Sequence, residues 1–270
     1  MLTKRLVACF DVVGGRVTKA QKFQDNIDVA PAAELARSLY DDQIDEIIFY
    51  DITASARRRP IDLETVRDVA RHVFVPFTVG GGIRSVDDMF AVLKAGAEKI
   101  SIDSMAVREP DIIRQGAEAF GRQCVVLSTQ VKHVGVRPGI PSGYEVFIDG
   151  AREATGLDAI DWVRRGEDLG AGEIVVNSID CDGTASGYDL TITRAVADAV
   201  NVPIVASGGA GTVDHIAAGL TDGGAHAAII SSILYSPRLE RNVGVRELKA
   251  GLTERGIPMR PYLDAQDEPS

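Results

Sequence analysis

Two glycine-rich stretches of this chain are copies of each other and have the composition of phosphate-binding turns. The first contains Gly80-Gly81-Gly82 and the second contains Gly208-Gly209. Each follows an apolar run and precedes a helical pattern, which opens on Ser85 in one copy and on Thr212 in the other. The backbone N–H groups of such a turn can approach an anion closely, and the helix N-terminus adds partial positive charge. Two equivalent turns therefore predict a substrate with a phosphate at each end.

Small hydroxyl side chains follow both turns at matching places. Ser101 and Ser104 follow the first turn, and Ser231 and Ser232 follow the second, so each pair is expected to complete one phosphate site. The repeat also extends upstream of the glycines, where the segment 45–49 recurs as 172–176. A period of about half the chain is too long for a solenoid array and indicates a duplicated half-domain.

The bulk composition excludes several classes of protein. The 270 residues are 45% hydrophobic, which suffices for one large core. A net charge of −10 argues against nucleic acid as a partner, and no apolar run is long enough to cross a membrane. The chain begins directly with a strand pattern, without a signal peptide, and its three cysteines lack zinc or CxxC spacing. We therefore expect a cytoplasmic protein that uses no metal or redox cofactor.

Short apolar runs alternate with longer helical patterns along the chain, which predicts a (β/α)8 barrel. The barrel is expected to be a single domain over residues 1–265, followed by a polar tail at 266–270. An open, doubly wound sheet is the alternative architecture. Strands are predicted near 5–10, 46–51, 75–79, 98–103, 124–130, 173–178, 203–206 and 227–231. Helices are predicted near 31–43, 61–73, 86–95, 109–119, 157–169, 190–199, 212–222 and 243–255.

A barrel places its chemistry at the C-terminal ends of the strands. The polar residues at those positions include Asp11, Asp103, Gln130 and Asp180. The longest gaps between predicted elements follow strands one and five, at about 12–30 and 131–156, and we expect them to be loops that cover the site.

Motifs along nearly the whole chain, in the same order, resemble the cyclase subunit of imidazole glycerol phosphate synthase, from histidine biosynthesis. The resemblance implies a duplicated half-barrel and a lyase that binds a bisphosphorylated aminoimidazole-carboxamide ribulosyl nucleotide. It also implies a separate glutaminase subunit, whose ammonia enters at the N-terminal face of the barrel. The products would be imidazole glycerol phosphate and an aminoimidazole carboxamide ribotide. The matching motifs are Cys9-Phe10-Asp11-Val12, Asp51-Ile52-Thr53-Ala54-Ser55, Thr78-Val79-Gly80-Gly81-Gly82-Ile83, Asp182-Gly183-Thr184, Ser186-Gly187-Tyr188-Asp189 and Ala206-Ser207-Gly208-Gly209-Ala210-Gly211.

The resemblance also implies roles for single residues. Asp11 matches one catalytic aspartate of the family, and Lys19 matches its mobile substrate-binding loop. Asp180 would contact substrate, although it could equally cap the turn after strand six. The charged ring at the ammonia entrance is matched by four residues, Arg5, Glu46, Lys99 and Glu173. The same four charges could instead close the barrel as a purely structural ring.

The chain departs from the family where the second catalytic aspartate belongs. That position is Gln130, and an amide cannot exchange a proton as a carboxylate does. The family's asparagine at the end of strand four is Asp103 here, so carboxylate and amide have exchanged places between neighbouring strands. We expect the second proton-transfer role either to have moved to Asp103 or to have been lost.

These departures leave two other functions open. The chain could be a paralogue that aminates a different phosphorylated sugar or nucleotide with ammonia. Alternatively, it could be a non-catalytic barrel that docks and activates a glutaminase. Loss of Asp11 or of the glycine turns would favour the non-catalytic barrel, and the chain retains both.

Overall fold

Strands and helices alternate along the chain, as the sequence predicts. The computed structural model describes residues 2–21, 24–56, 59–237 and 241–261. Its strands are β1 (Arg5–Val13), β2 (Arg16–Gln21), β3 (Gln24–Pro31), β4 (Glu46–Asp51), β5 (Phe77–Gly80), β6 (Lys99–Ile102), β7 (Val125–His133), β8 (Tyr144–Ile148), β9 (Glu153–Asp158), β10 (Glu173–Ser178), β11 (Ile204–Ser207) and β12 (Ala227–Ile229). Its α-helices are α1 (Ala32–Asp41), α2 (Ile52–Ala56), α3 (Leu63–Ala70), α4 (Val86–Lys94), α5 (Ser104–Arg108), α6 (Asp111–Phe120), α7 (Ala159–Leu169), α8 (Leu190–Ala199), α9 (Val213–Leu220), α10 (Ser231–Tyr235) and α11 (Val245–Glu254).

Eight of the strands form a closed parallel barrel, which confirms the predicted (β/α)8 architecture. The order around the barrel is β1, β4, β5, β6, β7, β10, β11 and β12. Parallel pairing of β12 with β1, with Arg5 opposite Ala227, closes the sheet and excludes the open alternative. The barrel strands and the longer helices all lie close to their predicted positions, whereas the short helices α2, α5 and α10 were not predicted.

The two long gaps contain β-hairpins, which the sequence did not predict. After β1 the chain turns back through Gly14 and Gly15, whose φ angles are 57° and 79°, and Val13 pairs with Arg16. A two-residue turn with both φ angles positive matches the twist of the strands that it joins. In the second gap, β8 runs antiparallel to β7, and β9 runs antiparallel to β8.

The barrel wall is apolar on both sides, as a parallel sheet covered by helices requires. Phe10, Phe49 and Phe77 are almost fully buried between the strands and the helices. A smaller apolar cluster fills the inside of the barrel, and it consists of Val7, Ile48, Val126, Val175, Val205, Ala227 and Ile229. Burial of each such Val or Ile side chain contributes about 1.5–3 kcal/mol to stability. The apolar cluster therefore both stabilises the barrel and keeps its interior free of charge.

The two halves of the barrel repeat each other in structure. The first half contains β1, β4, β5 and β6, the second contains β7, β10, β11 and β12, and a hairpin follows the first strand of each half. The helices after the two glycine turns have equivalent N-caps. Ser85 Oγ accepts a hydrogen bond from Asp88 N, Thr212 Oγ1 accepts one from His215 N, and both distances are 3.1 Å. The duplication predicted from the sequence thus extends to the N-cap hydrogen bonds of the two equivalent helices.

The described residues end at Pro261, before the predicted end of the domain. The polar tail at 266–270 lies outside the described residues, so the domain boundary at residue 265 stays a prediction. Within the described ranges, no helix is long and apolar enough to cross a membrane.

Candidate active site

A cavity of about 1440 Å³ opens at the C-terminal ends of the barrel strands. Asp11 reaches it from β1, Lys19 from β2 and Gln130 from β7, while Asp103 lies just beyond the end of β6. The fold therefore brings together residues that are far apart in the sequence. Twelve predicted site residues line this cavity: Asp11, Lys19, Gly81, Gly82, Ser101, Asp103, Ser104, Gln130, Gly208, Gly209, Ser231 and Ser232.

The two glycine turns lie in equivalent places on the cavity wall. Gly81 and Gly208 have φ angles of 88° and 91°, a region that residues with a side chain rarely adopt. A Cβ atom at Gly81 would lie 2.4 Å from the carbonyl oxygen of Asp51, and one at Gly208 would lie 2.8 Å from that of Ser178. The first turn thus packs against the end of β4 and the second against the end of β10, and only glycine allows this approach.

The four predicted phosphate-binding serines differ in how their hydroxyls are used. Ser231 Oγ donates to the carbonyl oxygen of Cys9 and accepts from its N–H, both at 2.8 Å. Ser101 Oγ lies 3.0 Å from the phenol oxygen of Tyr50 inside the barrel. Ser104 Oγ accepts a hydrogen bond of 2.9 Å from Asp149 N. Ser232 also lines the cavity. Ser101 and Ser231 are buried and brace the barrel wall, whereas Ser104 and Ser232 are partly accessible.

Asp11 has an environment suited to proton transfer near neutral pH. Burial raises the pKa of its carboxyl to about 6, the positive charge of Lys19 opposes this, and the negative charge of Asp182 adds to it. A carboxyl with such a pKa can both accept and release a proton close to pH 7.

Asp103 also has an environment suited to proton transfer near neutral pH. Burial raises the pKa of its carboxyl to about 7, although hydrogen bonds from Gln130 and Ser104 act in the opposite direction. Gln130 Nε2 donates to Asp103 Oδ2, and Ser104 Oγ donates to Asp103 Oδ1 over 3.3 Å. The oxygen Oε1 of Gln130 is buried and has no hydrogen-bond partner among the described groups. The two residues exchanged relative to the family are therefore in direct contact.

Two aspartates beside the site differ from the sequence expectation. Asp180 is exposed and does not line the cavity, because its carboxylate accepts a hydrogen bond of 3.0 Å from His133 N. Asp182, from the same turn, lines the cavity instead. The Asp182-Gly183-Thr184 motif could have indicated this, since Asp-Gly is typical of a tight turn. Of these two aspartates, only Asp180 was predicted from the sequence to bind substrate.

Asp51 also lines the cavity, but its oxygens are already occupied. It accepts hydrogen bonds from Ala54 N at 3.1 Å, from Asp62 N at 3.2 Å and from the Arg59 guanidinium at 2.7 Å. Asp51 therefore anchors the segment that follows β4.

The opposite end of the barrel carries a closed ring of four charges. Arg5 contacts Glu46 and lies 2.7 Å from Glu173, while Lys99 lies 2.7 Å from Glu173 and 3.5 Å from Glu46. Burial alone would raise the pKa of Glu173, but the charges of Lys99 and Arg5 outweigh it and lower that pKa. All four side chains are largely buried, so each charge depends on its two neighbours.

Among the residues that the structure describes, no group of three or more His, Cys, Asp or Glu side chains is placed to hold a metal ion.

Fold and site together define a (β/α)8-barrel protein with a large polar cavity at one end and a charged ring at the other. The family described as "Histidine biosynthesis protein" matches residues 5–240, and the chain belongs to that family. Similar proteins include the "Imidazole glycerol phosphate synthase subunit HisF" of Solidesulfovibrio magneticus, which is 53% identical over 96% of this chain and 99% of its own length. The proteins of the same name from Desulforapulum autotrophicum and Syntrophobacter fumaroxidans are each 51% identical over the same shares.

These comparisons confirm the family expected from the sequence. The chain is an enzyme of histidine biosynthesis, a lyase of the imidazole glycerol phosphate synthase type and its cyclase subunit. The similarity favours this activity over the alternative paralogue and over the non-catalytic barrel.

Proposed function

We propose that this chain binds its bisphosphorylated ribulosyl nucleotide in the C-terminal cavity and aminates it with ammonia that arrives through the barrel. One observation carries the proposal: the cavity and the charged ring lie at opposite ends of one barrel whose interior contains an apolar cluster. Ammonia is neutral and small, so an apolar interior favours it over ammonium. Ammonia delivered in this way is not protonated by water before it reacts.

The two phosphates bind at the two glycine turns. Gly81 and Gly82 with Ser104 form one site, and Gly208 and Gly209 with Ser232 form the other. Ser101 and Ser231 support these sites from the wall, since their hydroxyls already have partners. Two fixed phosphates hold the ribulosyl group between them, over the inner end of the barrel.

The side chains between the turns supply the chemistry. Asp11 transfers a proton at the reacting carbon, and its pKa of about 6 suits this role. Lys19 holds the substrate by its positive charge, which also acts on Asp11. Asp182 rather than Asp180 contacts substrate from the turn after β10, because only Asp182 lines the cavity.

The glutaminase subunit docks on the N-terminal face of the barrel, around the ring of Arg5, Glu46, Lys99 and Glu173. Two large apolar side chains are exposed on this face: Leu2, before β1, is 88% exposed, and Phe74, before β5, is 79% exposed. Exposed apolar groups around a charged centre are typical of a surface that binds another protein. We place the complex in the cytoplasm, since Cys9, Cys124 and Cys181 form no disulfide bond, as suits a reducing compartment.

An assay with ammonium tests the proposal. The purified chain, given the bisphosphorylated ribulosyl nucleotide and an ammonium salt, should form imidazole glycerol phosphate without any partner. Added glutaminase subunit should allow glutamine to replace the ammonium salt. Absence of product with both nitrogen sources would overturn the proposal.

The exchange at positions 103 and 130 favours one second candidate, amination of a different phosphorylated sugar or nucleotide. Turnover of such a compound with ammonium, together with none of the ribulosyl nucleotide, would establish that function instead.

A further inference from the structure

The carboxylates that line the cavity are held in different ways. Asp149 and Glu153 pair with Arg108, at 2.7 and 3.4 Å, and Asp51 pairs with Arg59. The hydrogen bond from Arg108 lowers the pKa of the Asp149 carboxyl, so Asp149 is a poor proton donor near neutral pH. Asp103 instead receives its hydrogen bonds from two neutral groups, the amide of Gln130 and the hydroxyl of Ser104. The uncharged hydrogen-bond partners of Asp103 allow its carboxyl to carry a proton.

Building on the proposed function, we propose that Asp103 is the second proton-transfer group of the amination and that Gln130 is its positioning residue. The two side chains extend from the adjacent strands β6 and β7, where Ile102 lies opposite Leu127. Their contact places the Asp103 carboxyl beside the position of Gln130, so the two groups can reach nearly the same substrate atoms.

Gln130 is well suited to position a carboxyl. The residue is only 7% exposed, and its amide N–H fixes one oxygen of Asp103 while Ser104 fixes the other. Because an amide does not titrate near neutral pH, Gln130 remains a hydrogen-bond donor to Asp103 throughout the working pH range, and its bond favours the carboxylate form.

The chemical step needs two proton transfers. Ammonia attacks the ketone carbon of the ribulosyl group, its lone pair forms the C–N bond, and the C=O π electrons move to oxygen. Protonated Asp103 gives its proton to that oxygen, and ionised Asp11 takes one proton from the new ammonium nitrogen. A neutral carbinolamine results, Asp103 becomes a carboxylate and Asp11 becomes a carboxylic acid, so atoms and charges balance. One acid and one base, both with pKa values near neutrality, are what this step requires.

The pH response follows from the groups that face each carboxyl. Asp103 faces the amide of Gln130 on β7, Ser104 and Arg108 on α5, Asp149 in the hairpin turn and Tyr50 on β4. Asp11 faces Lys19 on β2, Asp182 after β10, Tyr235 on α10 and the Cys9 thiol on its own strand. With pKa values of about 6 for Asp11 and about 7 for Asp103, the productive state is most populated between those values. Turnover at constant free ammonia should therefore fall both below and above this pH range.

Four proteins test the inference: the wild type, Asp103→Asn, the exchanged variant Asp103→Asn/Gln130→Asp, and Glu153→Gln. Glu153→Gln is the matched control, because it removes one exposed acid from the same cavity wall. Turnover is measured with the ribulosyl nucleotide at constant free ammonia across pH 5–9, and substrate binding is measured by calorimetry.

Asp103→Asn should lower kcat by about 10²–10⁴-fold with little change in substrate affinity, and it should lose the fall in turnover above pH 7. The exchanged variant should recover at least about tenfold over Asp103→Asn, because it returns one carboxyl and one amide to the pair. Glu153→Gln should keep the wild-type profile. Rescue by the exchanged variant would distinguish lost proton transfer from simple misfolding.

Two results would contradict the inference in distinguishable ways. If the wild type turns over and Asp103→Asn matches it in kcat and pH profile, Asp103 is not a proton-transfer group, although the proposed function stands. If folded wild type gives no product at any pH, the proposed function fails and the role of Asp103 fails with it.

Discussion

Lys249 Nζ lies 2.6 Å from Asp45 Oδ1, and both side chains are at most 2% exposed. Asp45 also accepts a hydrogen bond of 2.8 Å from Leu6 N, and Lys249 donates one of 2.8 Å to the carbonyl oxygen of Gln43. This ion pair thus ties the last described helix to the start of β4 and to β1. It joins residues that are 204 positions apart in the sequence, which no local sequence pattern reveals.

Lys249→Met should destabilise the protein by about 3–5 kcal/mol, because it leaves the Asp45 carboxylate buried without a counter-charge. Denaturant unfolding at pH 7 measures the effect. The matched control is Arg241→Ala, which removes one partner of an exposed pair with Glu247 and should cost less than about 1 kcal/mol. Equally small losses of unfolding free energy in the two variants would show that the Lys249–Asp45 pair does not stabilise the protein.

Gly208→Ala should raise KM far more than it lowers kcat. The new Cβ would lie 2.8 Å from the carbonyl oxygen of Ser178, so the turn must move and its phosphate site with it. Gly139→Ala is the control, since Gly139 has a similar φ of 85° but open space around it. Kinetics and binding of inorganic phosphate provide the measurements. If both variants keep the wild-type KM and phosphate affinity, this turn does not bind phosphate.

Lys99→Ala should reduce glutamine-driven turnover and leave ammonium-driven turnover close to that of the wild type. Removing Lys99 leaves Glu173 and Glu46 with Arg5 alone, which alters the entrance but not the distant cavity. Lys94→Ala, at an exposed position at the end of α4, controls for loss of one positive charge. Parallel loss of both activities in Lys99→Ala would indicate that the ring is purely structural.

Asp103→Asn should make the protein more stable than the wild type at pH 8. The folded state raises the pKa of this carboxyl from 3.8 to about 7, so it binds the proton more tightly than the unfolded chain does. The contribution of this group to the free energy of unfolding is fully present below about pH 4 and is lost as the pH rises through about 7. The total loss is on the order of 4 kcal/mol. The gain in Tm over the wild type should therefore grow between pH 5 and pH 8. A gain that does not change with pH would show that Asp103 titrates as it does in the unfolded chain.

Much of the fold could be predicted from the sequence because its signals are local. A short apolar run followed by a helical pattern predicts one βα unit, whatever surrounds it. Repetition of the glycine turn then indicated duplication, and the caps at Ser85 and Thr212 confirmed that the two copies fold alike. The hairpin at Gly14-Gly15 was missed, although two consecutive glycines between apolar strands are typical of such a turn.

The composition of the site also followed from the sequence, because strand ends in a parallel barrel all face one side. Asp11, Asp103, Gln130 and both glycine turns were placed there correctly by this rule alone. The rule could not distinguish Asp180 from Asp182, since the direction of a side chain in a turn depends on its backbone hydrogen bonds.

Sequence alone therefore determined the barrel, its duplication and which residues gather at each end, because periodicity and strand order specify these. The tertiary structure decided which of those residues touch. Gln130 holds Asp103, and Ser231 is engaged by Cys9, only because the sheet closes with a particular register between neighbouring strands. Contacts between strands depend on that register and on burial, neither of which is encoded within a single segment of the chain.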